Sequence, residues 1–83
     1  MDRAMAAFAR CMQEGHSPES AEAQNCVRSL QDYISAHYYP CTNAILAGLG
    51  QMYTADERFR INIDKHAEGT ADFLSRAIAF YCR

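Results

Sequence analysis

Apolar residues recur at spacings of three and four along most of the chain, and no alternating run is long enough for a strand. The first segment gathers Ala4, Met5, Phe8, Cys11 and Met12 on one side and stops at Gly15, a residue suited to the left-handed turn after a helix. "HSPES" restarts the chain: Ser17 is the expected N-cap, Pro18 suits the first helical position, and Glu19 complements the helix dipole. A second helix, from about 18 to 38, aligns Ala23, Val27, Leu30, Ile34 and Tyr38, flanked by Cys26 and Tyr33. Pro40 disfavours helical backbone at Tyr39 and sets its end. A third helix starts near Cys41 or Thr42 and is expected to turn Ile45, Leu49 and Met52 inward. "TADE" reads as a capping box, with Thr54 as cap and Glu57 reaching back, and opens a fourth helix carrying Phe59, Asn62 and Ile63. After a break near Glu68 and Gly69, the last helix carries Phe73, Leu74, Ala77, Ile78 and Tyr81. The pattern predicts an all-α, single compact domain of about five helices joined by short loops.

Composition narrows the possibilities. Eighty-three residues make one domain at most, with room for a helical core and one cleft. The apolar fraction of 49% and charged fraction of 22% are those of an ordinary soluble domain. Net charge is -2 and the basic residues are scattered, which argues against this chain alone gripping a phosphate backbone. No apolar run approaches the roughly 20 residues that span a bilayer, and the N-terminus shows no signal-peptide pattern. A cytoplasmic setting is therefore expected. Cys11, Cys26, Cys41 and Cys82 form no C-x-x-C pair and read as reduced thiols behaving as small hydrophobes.

Candidate chemistry is sparse. There is no G-x-S-x-G, no phosphate-cradling glycine loop and no H-E-x-x-H, so catalysis finds no support. His16, His37 and His66 never share the i, i+4 spacing of helical metal ligands, and neither a metal nor a cofactor is expected. Aromatic side chains are more informative. Tyr33, Tyr38, Tyr39, Tyr53 and Tyr81, with Phe8, Phe59, Phe73 and Phe80, are many rings for so small a core. They either edge the core or wall a cleft for a large apolar ligand. Gly48 and Gly50 each cost a helix interior about 1 kcal/mol relative to Ala. Each serves close helix packing or leaves ligand space, and the sequence does not choose. Cys41, if it opens the third helix, would have its thiol pKa lowered by the helix dipole; otherwise it is an inert buried residue.

The pieces "YYPC", "GLGQMYTADERF", "NID", "EGTADFL" and "RAI" fall in the order and spacing of a known family. Together they resemble TipAS, the C-terminal ligand-recognition domain of TipA-like transcriptional activators of the MerR family. The resemblance covers about half of the chain strongly. It implies a globin-like helical domain with a deep cleft for bulky multi-ring antibiotics, thiopeptides above all. It also implies that a DNA-binding winged helix-turn-helix and a dimerising coiled coil belong upstream, outside these 83 residues. The fragment is then expected to be a monomer and the full-length activator a homodimer. DNA is a partner only through that upstream domain, and no membrane is involved. In the thiopeptide-binding member a cysteine adds to a dehydroalanine of the drug; the aligned position here is Gly48, so reversible binding is expected. Cys41 matches the family's other cysteine. Seven residues are almost two helical turns, which would put it on nearly the same face as Gly48, about 10 Å away.

On this reading the drug cleft is walled by the "HYYPC" corner and the helix behind it. Tyr38, Tyr39, Ile45, Leu49, Met52 and Tyr53 supply apolar and aromatic area, and Gly48 leaves room. His37 and Cys41 stand at the mouth, while Phe59 and Ile63 close the far side. The first segment, ending at Gly15, carries few anchors and is expected to be ordered by the ligand. Two other functions fit the same residues: stand-alone sequestration of an antibiotic, and a protein-interaction module using a tyrosine-rich face.

Overall fold

A computed structural model of the protein describes residues 2–83 as five α-helices. They are α1 (Asp2–Gln13), α2 (Ala21–His37), α3 (Asn43–Ala55), α4 (Glu57–Asp64) and α5 (Thr70–Tyr81). Helix α5 is the hub, packing against each of the other four, and α1 also rests on α2. Val27, Leu30, Leu46, Leu74 and Ile78 are buried together with Phe8 and form the centre of one core. Gly15 and Gly69 take positive φ, 87° and 92°, which is the backbone freedom the turns after α1 and before α5 require.

Several boundaries differ from the sequence expectation, and each difference has a local cause. Helix α2 starts three residues later than Pro18. Ser20, with extended backbone, accepts from the Ala23 amide and is the true N-cap. Ser17 instead closes a turn, its carbonyl accepting from the Ser20 amide and hydroxyl. "TADE" is not a capping box either. Helix α3 runs on through Ala55, and Thr54 spends its hydroxyl on the Gln51 carbonyl inside that helix. Asp56 ends α3 and caps α4, accepting from the Arg58 amide at 2.9 Å.

Helix α3 is also rotated relative to expectation. Leu46, Gly50 and Tyr53 face the core, while Ile45 is 41% exposed and Leu49 and Met52 lie half-buried on the flank. The rotation follows from Gly50. Its backbone meets Ile78 so closely that an added Cβ would stand 2.9 Å from that side chain. The glycine that permits this approach must face α5. Nor is α1 a loose arm, for Met5, Phe8, Ala9 and Cys11 are all buried. That overturns the expected scarcity of anchors in the first segment.

Candidate functional site

The corner between α2 and α3 is built from polar side chains that hold an irregular backbone. Gln31 donates its amide N–H groups to the Cys41 carbonyl at 2.9 Å and to Asn43 Oδ1 at 2.8 Å. The Tyr81 hydroxyl donates to Gln31 Oε1, so α5 fixes that amide. Ser35 accepts from the Cys41 amide, and the amides of Tyr38 and Tyr39 both donate to the Ile34 carbonyl. These bonds satisfy several of the backbone groups left over at the turn, and Thr42 caps α3 by accepting from the Ile45 amide.

What this fixed corner displays is aromatic. Tyr38 and Tyr39 are 63% and 44% exposed. The Tyr33 ring lies 4.4 Å from His37 and 6.2 Å from Tyr38, centroid to centroid. On the α3 side, Tyr53 packs on Phe59 at 5.8 Å, with the Tyr39 phenol near enough to help raise the Tyr53 pKa. Burial is the larger cause, and the Tyr53 hydroxyl is pushed up to about 12.

Helix α3 contains no charged residue. Apart from Asn43, Gln51 and Thr54 it is mostly apolar or glycine, and an apolar helix face is normally buried. Here one flank is left to solvent, running from half-buried Leu49 through Ile45 and Met52 to Gly48. Gly48 is exposed, and a Cβ built on it meets nothing within 4 Å. The surface over Gly48 is therefore open.

The expected site residues separate into two groups. His37, Tyr38, Tyr39, Ile45, Gly48 and Phe59 reach the surface, and Leu49 and Met52 border them. Cys41, Tyr53 and Ile63 are buried and support that surface from below. Cys41 therefore does not stand at a mouth. It precedes the Thr42 cap and lies outside the helix, and burial pushes its thiol pKa up, the opposite of dipole activation. The other three cysteines are likewise free. No group of three metal-ligating side chains occurs among the described residues, and no helix is long and apolar enough to cross a membrane.

A cavity of ≈ 760 Å³ lies elsewhere, between α1 and α2. Sequence reasoning missed it because it has no apolar stripe. Small residues on two facing helices, Ala4 and Ala7 on α1 with Cys26 and Ser29 on α2, were the only signal.

Comparison with known proteins agrees with the architecture. Residues 1–81 match the model of the TipAS antibiotic-recognition domain. The chain is 45% identical over 67 residues to the HTH-type transcriptional activator Mta of Bacillus subtilis, covering 81% of this chain and 26% of that protein. It is 32% identical over 71 residues to the HTH-type transcriptional activator TipA of Streptomyces coelicolor, covering 86% of this chain and 28% of TipA. The chain thus spans about a quarter of the length of these curated relatives. Among solved structures it resembles TipAS of a Streptomyces lividans thiopeptide multidrug-resistance system, in complex with nosiheptide. The TM-score is 0.88 at 30% identity, over 98% of this chain and 57% of that one. On its family match, its sequence likeness to these activators and its fold, the chain belongs to the TipAS family of antibiotic-recognition domains.

Proposed function

We propose that this chain is the effector-recognition domain of a cytoplasmic, drug-sensing transcriptional activator of the MerR type. It binds bulky, multi-ring, mainly apolar antibiotics of the thiopeptide kind, reversibly. The carrying observation is the uncharged α3, which leaves Ile45, Gly48, Leu49 and Met52 unburied and directly follows a corner that exposes Tyr38 and Tyr39. Apolar drug surface laid there contributes about 25 cal/mol per Å², less the ordering cost of binding. In the whole protein an upstream helix-turn-helix would carry the DNA contact and a coiled coil the dimer. The matched relatives, HTH-type activators about four times as long, support that arrangement.

Thermal denaturation with and without nosiheptide tests this reading. At 100 times its Kd a ligand adds about 2.7 kcal/mol, a rise in Tm of roughly 10 °C or more in a domain this size. Ile45→Asp separates binding from folding. Residue 45 is the third of the helix after the Thr42 cap, where a carboxylate complements the dipole. The variant should fold with an unchanged Tm and lose most of the ligand-induced shift. An undiminished shift in the variant would remove the α3 flank from the site, and no shift in either chain would refute thiopeptide recognition.

The same face predicts a gain of function. Gly48→Cys places a thiol in open space, where it can add to the C=C bond of a dehydroalanine in the drug, the sulfur bonding one carbon and a proton the other. Intact-mass spectrometry should show one drug mass retained by Gly48→Cys after denaturation, and none by the parent chain.

A further inference from the structure

We propose that the groove between α1 and α2 is a second ligand site, suited to a planar multi-ring organic anion and separate from the α3 flank. Its volume of ≈ 760 Å³ falls within the range of small-molecule sites, about 300–1,000 Å³. The groove is shaped by side-chain size. Ala4 and Ala7 leave α1 low on this side, and Cys26 and Ser29 do the same on α2. The same two helices bury Met5, Phe8, Val27 and Leu30 in the common core, so packing fixes their spacing and the gap between them stays open.

The lining gives the occupant its chemistry. Asn25, Ser29 and Tyr33 form one ridge of α2 at i, i+4 spacing, two hydrogen-bonding side chains leading to a ring. That ring is held in place by the neighbouring His37, 4.4 Å away, and offers a stacking wall. Arg3 is the one charged residue among the lining residues, and its guanidinium has no ion-pair partner among the described residues. A carboxylate or sulfonate can take its paired N–H donors, while the fused rings lie on the alanines and reach Tyr33. The chain carries a net charge of -2, so an anion gains nothing from the molecule at large and depends on this local cation.

The probe is 1-anilinonaphthalene-8-sulfonate, compared with N-phenyl-1-naphthylamine, which has the same rings without the sulfonate. Both are titrated by fluorescence into the 83-residue chain. The sulfonate should bind one to one. Arg3→Gln should weaken it about ten-fold and leave the neutral compound unchanged. Ala7→Leu, an exposed change to a good helix former, should fill the groove and abolish binding of both, with circular dichroism confirming the fold. Ile45→Asp on α3 should leave sulfonate affinity as it was. Equal effects of Arg3→Gln on the two compounds, or undiminished binding by Ala7→Leu, would overturn the proposal. So would loss of binding in Ile45→Asp, which would place the probe on the α3 flank and leave only the thiopeptide reading standing.

Discussion

Gly48 and Gly50 stand two residues apart on α3 and meet opposite surroundings. Nothing lies within 4 Å of a Cβ at 48, whereas a Cβ at 50 would press on Ile78 at 2.9 and 3.2 Å. Gly48→Ala should therefore stabilise the domain by about 0.5–1 kcal/mol through lower backbone entropy in the unfolded chain. Gly50→Ala gains the same propensity but overpacks the α3–α5 contact, a cost of about 1–3 kcal/mol, so a net loss near 1 kcal/mol is expected. Urea unfolding of the two variants checks the opposite signs. Tyr53 offers a second measurement at this scale. Burial pushes its hydroxyl up to about 12 in the folded protein, against an ordinary value of 10. The folded state thus favours the neutral phenol, and this stability is fully present below pH 10 and lost as pH rises through 12. In an ultraviolet titration of tyrosinate, a late step should disappear in Tyr53→Phe. That residue was expected in the ligand wall. Its spacing from Leu49 and Met52 is equally compatible with the core, and only the Gly50–Ile78 contact decides which way α3 turns.

Among the elements, the corner after α2 depends most on one side chain. Gln31 spans from Tyr81 on α5 to Cys41 and Asn43 at the start of α3. Gln31→Ala leaves the part-buried Cys41 carbonyl and the Tyr81 hydroxyl without these partners, at about 1–3 kcal/mol. Its amides at 41 and 43 should exchange faster with solvent, while those of α2 and α5 lose protection only in proportion to the lower global stability. Element type and number were legible in the sequence because 3.6-residue periodicity and the glycine turns at 15 and 69 act locally. Cap positions were less so. Ser17 and Ser20 are both plausible N-caps three residues apart, and the choice is made by Gln24, which donates to the Pro18 carbonyl and to the Ala77 carbonyl of α5. Such a bond joins residues 53 apart, and no local pattern announces it. The many corner rings could be anticipated from composition, whereas the outward turn of Ile45 could not, because helical spacing alone does not say which side of α3 meets α5. The α1–α2 groove could not, because it is a property of two facing helices.

At the scale of the whole molecule, α1 decides how a ligand could act. The Cα radius of gyration is 11.4 Å, against about 11.8 Å expected for a compact chain of this length, so no element stands off as an arm. Helix α1 packs on both α2 and α5, and Phe8 is fully buried between them and the rest of the core. Local opening is easy where buried contacts are few, and α1 has them. Ordering of this helix by the ligand therefore loses its basis, and any signal must leave through surfaces the ligand itself touches. Hydrogen exchange distinguishes the two routes. Without ligand, the amides of Ala9 and Cys11 should already be protected to a degree comparable with the middle of α2. Saturating nosiheptide should add protection chiefly between residues 38 and 52, where the corner and the α3 flank lie. Slow exchange appearing in α1 only with drug would restore the ordering route and show that the packed helix is not the resting state in solution.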